Sequence, residues 1–237
     1  MEEDPRLGVS CLCLTYGRPH LLEEAIKSFL LQDWDGPKEL IVLNDHVQQE
    51  LVFEHPEVLV VNLKRRLRSQ GEKRNLSVAL ARYDNLLVWD DDDIFLPWRI
   101  SETMKRLPSD QFFKCPNAWV MNNGVMNNGV ITEFGFNLFH SSSAYTRWLF
   151  EKANGYRPIT QGEDADIEGR FKALGHRQDT ILPRERVYYI YRWAHGSYHG
   201  TGRELKDINP IIQPGTVVLR PHWRQDYAEA ARKVALA

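Results

Sequence analysis

The chain has 237 residues, a formal net charge of −2 and 43% apolar residues, as expected of one globular domain with a core of its own. The near-neutral balance excludes an obligate nucleic-acid binder, which carries a basic excess. No apolar run approaches the ~18 residues of a membrane span, and the acidic start Met1-Glu2-Glu3-Asp4-Pro5 lacks a signal-peptide layout, so the expectation is a cytoplasmic protein without a transmembrane segment, peripheral contact with a membrane or a partner being left open.

Val9-Ser10-Cys11-Leu12-Cys13-Leu14 reads as a buried strand. Pro19 then suits a first helical position, and Leu22, Ile26, Phe29 and Leu30 follow at helical spacing. Cys11 and Cys13 share a strand face and read as packed thiols rather than a disulfide or a metal pair. Glu39-Leu40-Ile41-Val42-Leu43 and Val58-Leu59-Val60-Val61 are further short strands. Residues 72–82 read as a helix burying Leu76, Ala79 and Leu80. Leu86-Leu87-Val88-Trp89 is a strand that ends directly in Asp90-Asp91-Asp92-Asp93. This alternation predicts an α/β fold with a mainly parallel sheet and helices on both faces. Ligands bind such sheets beyond the carboxyl ends of the strands, where Thr15-Tyr16, Asn44-Asp45 and residues 90–93 stand.

The second half is less regular. Met121-Asn122-Asn123-Gly124-Val125 is repeated at once as Met126-Asn127-Asn128-Gly129-Val130, and the Asn-Gly pairs predict a turn-rich ribbon. A helix over residues 163–174 stops at Gly175, and residues 226–237 form a modest C-terminal helix. No linker divides the chain.

The acidic run is the sharpest chemical feature. Four adjacent carboxylates repel one another, which raised pKa values or a bound cation must relieve. In an extended segment Asp90 and Asp92 share a face, and Mg²⁺ takes one or two protein carboxylates beside substrate phosphates. A solvated acidic turn is the plainer reading, but the apolar strand feeding straight into the run favours function. Lys64-Arg65-Arg66, Arg68 and Lys73-Arg74 form a basic stretch without interleaved aromatic residues, which suits a diphosphate better than nucleic acid. Glu163 and Asp164 flank the buried stripe Ile167, Phe171 and Leu174, where an acid serves either as a general base or as a helix cap. Spacing does not choose between the two. His195 and His199 lie in a glycine-rich loop, as hydrogen-bonded side chains or metal ligands. His-Glu-x-x-His, Cys-x-x-Cys, Gly-x-Ser-x-Gly and the phosphate-loop signature are all absent from the sequence.

Together these pieces resemble the family 2 glycosyltransferases. Residues 9–19 look like that family's first strand and nucleotide loop, and Leu43-Asn44-Asp45-His46 like its base-reading segment. Gly71-Glu72-Lys73-Arg74-Asn75 is similar to its Arg-Asn helix start. Trp89-Asp90-Asp91-Asp92-Asp93-Ile94-Phe95-Leu96-Pro97 is similar to its Asp-x-Asp metal motif. Asn154-Gly155-Tyr156 and Gly162-Glu163-Asp164 resemble the segments near its catalytic base, and residues 191–202 a late His-containing loop. Asn44 stands where the family often has an acid, and His46 where it has glycine.

The resemblance implies a single GT-A-like, Rossmann-type domain. Residues 8–107 would form the nucleotide-sugar half, and residues 108–237 an irregular acceptor half. It implies inverting transfer of a sugar from a nucleoside diphosphate sugar, UDP-sugar favoured, to a glycan or other hydroxyl-bearing acceptor. Thr15, Tyr16, Arg18, Asp45, Arg74, Asn75, Asp90 and Asp91 would contact the donor. Asp92, with His199, would hold a divalent cation, Mn²⁺ or Mg²⁺. Asp164 would take the acceptor proton, and Glu163 would orient the acceptor. A sugar-nucleotide nucleotidyltransferase and a non-catalytic glycan- or nucleotide-binding module are the alternatives.

Overall fold

The computed structural model describes residues 6–122, 131–134, 139–176, 181–193 and 214–236. Its first half runs β1 (Val9–Thr15), α1 (Pro19–Leu30), β2 (Lys38–Asn44), β3 (Gln49–Val52), β4 (Val58–Asn62), α2 (Gln70–Leu80), β5 (Asn85–Val88), β6 (Ile94–Phe95), α3 (Arg99–Met104) and α4 (Leu107–Asp110). The second half adds β7 (Phe112–Lys114), β8 (Ala118–Asn122), β9 (Ile131–Phe134), β10 (Ser143–Thr146), α5 (Arg147–Lys152), α6 (Glu163–Ala173), β11 (Tyr189–Trp193), β12 (Gly215–Val218) and α7 (Tyr227–Leu236).

The central sheet has the order β4-β2-β1-β5-β10-β7. Its first four strands are parallel, and β10 pairs antiparallel with both β5 and β7. β1 lies between two parallel neighbours and is buried along its whole length, which explains its unbroken apolar run. β4 is an edge strand and mostly half-buried. Side chains of β1 alternate between two cores. Cys11 and Cys13 face α1, with Leu22, Ile26, Phe29 and Trp89, and all three cysteines are free and buried. Leu12 faces the other way, onto Val78 of α2, Leu149 of α5, and Ile167 and Phe171 of α6. The sheet therefore carries helices on both faces, as the alternation predicts.

A second sheet, β6-β11-β8-β9, stands beyond the acidic run. β8, which takes in the first two residues of the repeat, pairs antiparallel with β9, Met121 opposite Ile131; the rest of the expected ribbon, residues 123–130, lies outside the described residues. Among the described residues no helix is long and apolar enough to cross a membrane.

Two helical stripes differ from expectation. In α2 the buried positions are Gly71, Lys73, Arg74, Ser77 and Val78, whereas Ala79 is exposed and Leu76 and Leu80 are half-buried. Apolar periodicity misplaces the face because the helix turns its cations inward, toward buried carboxylates. In α6, Ile167 and Phe171 are buried but Leu174, at the C-cap, is exposed.

Candidate active site

The carboxyl ends of β2, β1 and β5 lie side by side, and the chain leaves each of them through polar residues. After β1, Gly17 takes the left-handed backbone (φ +73°) that glycine tolerates without strain. The turn swings Arg18 back beneath the acidic run. Arg18 Nη1 donates to Asp92 Oδ2 at 2.8 Å and Nη2 donates to Asp91 Oδ1, all three residues being buried. Burial pushes the Asp91 carboxyl up to about 6, with Arg18 opposing and Asp92 adding to the rise. Asp93 turns away and accepts from Tyr189 Oη at 2.9 Å and from the Arg192 N–H at 3.2 Å. Burial raises its carboxyl well above the ordinary range, and Asp92 and Asp90 push it further. Asp90 faces the opposite flank. Ser141 Oγ donates to its Oδ2 at 2.6 Å, and Arg74 Nη1 lies 3.7 Å from its Oδ1. The expected sharing of one face by Asp90 and Asp92 is therefore not found. β5 ends at Val88 and residues 91–92 form a turn, so strand alternation no longer applies.

At the β2 end, Asn44 is structural. Its amide donates to Gln49 O (3.1 Å) and Asn62 Oδ1 (3.0 Å), while its oxygen accepts from the His46 N–H (3.1 Å). Only an amide both donates and accepts in this way, which accounts for Asn in place of an acid. Asp45 is buried, with Lys73 Nζ 2.5 Å from Oδ1 and the Leu67 N–H donating to Oδ2 at 3.2 Å. Lys73 also donates to Thr15 O at 2.6 Å; burial lowers its pKa and Asp45 opposes the change. Tyr16 packs against the His46 ring, centroids 4.8 Å apart, with the Arg66 guanidinium 4.5 Å from its own centroid.

At the β5 end, Arg74 bridges two acids. Nε lies 3.4 Å from Glu163 Oε1, opposite its contact with Asp90. Burial works against the guanidinium charge, but Asp90, Tyr156 and Glu163 around it raise its pKa. Burial also raises Glu163, with Arg74 opposing. Asp164 is half-buried at the first turn of α6, where its Oδ1 accepts the Ala165 N–H at 2.7 Å. Asn75 clamps the Tyr156 backbone, donating to its carbonyl and accepting from its N–H, both at 2.8 Å. A Cβ at Gly71 would fall 1.8 Å from Arg157 O, so only glycine lets α2 approach the segment that leads into α6. Behind Arg74 a buried network runs inward. Tyr156 Oη lies 2.7 Å from His140 Nε2, and His140 Nδ1 lies 2.8 Å from Glu168 Oε1. Lys114 donates to both Glu168 oxygens at 3.0 Å. Burial alone would raise the Glu168 carboxyl; His140 and Lys114 instead bring it down to about 2.

Residues 10–156 match the family model for glycosyl transferase family 2. The chain belongs to that family. Solved structures with the same fold include TarS 1–349 of S. aureus, with a TM-score of 0.55 and 16% identity over 78% of this chain and 60% of that one. The same TarS fragment in complex with UDP-GlcNAc gives 0.58 and 15% over 83% and 61%. The mannosyltransferase PcManGT from Pyrobaculum calidifontis, in complex with GDP-Man and Mn²⁺, gives 0.58 and 18% over 79% and 58%. This chain thus spans about three-fifths of the length of those chains. Comparison with curated protein sequences returns no match.

In this family 2 domain, hydrogen bonds and ion pairs bring most of the expected residues together across the strand ends. One cluster joins Asp45 to Thr15 through Lys73, a second joins Arg18 to Asp91 and Asp92, and a third joins Asp90, Arg74 and Glu163. Asn75 clamps the Tyr156 backbone outside these clusters, and Asp164 follows Glu163 in the first turn of α6. His195 and His199 lie outside the described residues. Among the described residues no three His, Cys, Asp or Glu side chains gather with metal-holding geometry. The sequence gives no signal for Ser141, His140 or Glu168, and marks Tyr156 only as part of Asn154-Gly155-Tyr156. Lys73 stood in the charge run and in the Arg-Asn helix start with no role of its own, and isolated polar residues between apolar ones give no periodic signal.

Proposed function

We propose that this chain is an inverting glycosyltransferase that moves a sugar from a nucleoside diphosphate sugar to an acceptor hydroxyl. The observation that carries the reading is the row of buried charges across three strand ends, from Asp45 to Arg74, with the half-buried Asp164 at its edge. Residues 8–107 would hold the donor and residues 108–237 would shape the acceptor side. TarS is solved with UDP and with UDP-GlcNAc, and PcManGT with GDP-Man and Mn²⁺. A uridine donor is favoured here because Asp45 follows β2 as in the uracil-reading segment that residues 43–46 resemble.

The acids fit a divalent cation. Asp91 Oδ2 is a buried acceptor with no hydrogen-bond partner among the described residues. Asp91 and Asp92 pair with Arg18 and Asp90 lies beside Arg74, and a bound cation would relieve the repulsion among these neighbouring acids. Asp92 would hold Mn²⁺ or Mg²⁺ directly, Asp90 through water or beside the ribose, and His199 as a further ligand. The cation, when bound, would neutralise charge on the departing diphosphate. Arg18, which these acids hold, would offer its guanidinium to phosphate oxygens. Arg74 fixes Glu163, which orients the acceptor, and Asp164 accepts the acceptor proton as the new bond forms. Inversion needs no protein nucleophile.

A thermal-shift panel with and without Mn²⁺ tests the donor assignment. UDP is expected to raise the melting temperature more than GDP or CDP, and Mn²⁺ to enlarge the shift, because a ligand that binds only the folded state stabilises it. Equal or greater stabilisation by GDP overturns the uridine assignment. No shift with any nucleotide, with Mn²⁺ present, overturns the donor site.

A further inference from the structure

His46 is 4% exposed, yet its Nδ1 makes no hydrogen bond among the described residues. The other deeply buried histidine among the described residues, His140, uses both ring nitrogens. Buried polar atoms are nearly always paired, so an unpaired one calls for an explanation. The position of His46 is fixed. Asn44 Oδ1 accepts its backbone N–H at 3.1 Å, and its carbonyl accepts from Gln49 N at 3.0 Å, closing the turn after β2. Its ring rests on Tyr16, the residue that follows β1, and the exposed Arg66 places its guanidinium beside the same tyrosine ring. Asp45 immediately precedes it.

We infer that His46 is a specificity-determining residue, which reads the edge of the donor's nucleobase through Nδ1 while the base lies against Tyr16 and Arg66. This rests on the donor-site reading. Aromatic rings and guanidinium planes stack on any base and so discriminate poorly. A neutral imidazole nitrogen offers one directional donor or acceptor, which does discriminate. The location also suits the base rather than the phosphates. β2 and β5 are separated by β1 alone, so His46 stands about 10 Å across the sheet from the acidic run, at ~4.8 Å per strand. That is the order of distance a nucleoside places between its base edge and its diphosphate.

The test is calorimetric titration of UDP, CDP, GDP and ADP, each with Mn²⁺, into wild type, His46→Ala and His46→Asn. The Asn amide reaches the place of Nδ1, and a thermal melt of each variant checks folding. Wild type is expected to prefer one base, UDP by the reading above. His46→Ala is expected to lose about tenfold or more in affinity for that nucleotide, the scale of one buried hydrogen bond. Its affinity for the others should change less, so the preference collapses, and His46→Asn should recover part of it. An unchanged preference in both variants, with wild type binding normally, overturns the role of His46 and leaves the donor site standing. Parallel weakening of all four nucleotides, without recovery by Asn, overturns it as well. No binding of any nucleotide to wild type overturns the donor-site reading itself, and this inference with it.

Discussion

Asp164→Asn is expected to lose sugar transfer by about 10²- to 10⁴-fold while keeping donor and cation affinity, the usual cost of removing a general base. Asp164 sits in the first turn of α6. No capping side chain competes for that end, because the N-cap is Gly162 in a left-handed conformation (φ +76°). One carboxylate oxygen accepts the Ala165 N–H and the side chain is half-buried, so the group is both anchored and reachable. Asn keeps the anchoring hydrogen bond and the size but cannot take a proton. Glu163 is placed differently. It is buried against Arg74, and its raised pKa follows from that burial. Glu163→Gln is therefore expected to be milder. Single-turnover transfer at saturating donor separates the two. A near-normal rate in Asp164→Asn with a large loss in Glu163→Gln moves the base by one residue, and near-normal rates in both remove α6 from the chemistry.

Asp92→Ala is expected to abolish the enhancement of nucleotide binding by Mn²⁺ while the protein stays folded. Asp92 ends in an ion pair with Arg18, which retains Asp91 as a partner when Asp92 is removed. The turn at residues 91–92 should therefore survive, and the loss should fall on cation binding. His199→Ala is expected to weaken the enhancement less. Titration of UDP with and without Mn²⁺ reads both effects. Wild-type Mn²⁺ linkage in Asp92→Ala would show the acidic run to be misassigned.

Much of this was legible in the sequence because it depends on short-range patterns. The buried strand at residues 9–14, Pro19 at the start of α1 and the apolar strand running into the acids each carry a local signal that the fold keeps. The resemblance located the Glu-Asp pair and the Arg-Asn helix start. What escaped depends on contacts far apart in the chain. Lys73 and Arg74 occupy the inward face of α2 because Asp45, Asp90 and Glu163 await them there, and a hydrophobic stripe cannot report that. Asp90 and Asp92 diverge because the strand ends before them, a boundary that periodicity places only approximately. The Tyr156–His140–Glu168 network joins residues 28 and 16 positions apart, with no pattern linking them. Asn44, a departure from the family's usual acid, became intelligible only once its three hydrogen bonds were seen.

The central claim is that this domain cleaves the sugar–oxygen bond of a nucleotide sugar with inversion. Proton NMR of UDP-sugars incubated with the protein and Mn²⁺ tests it most directly, water serving as acceptor where no other is known. The anomeric signal of the donor is expected to decay with release of UDP, and the first sugar formed should carry the opposite anomeric configuration. Asp164→Asn should leave the donor intact over the same period. Release of a sugar 1-phosphate with UMP, or a first product that retains the donor's configuration, would contradict the account.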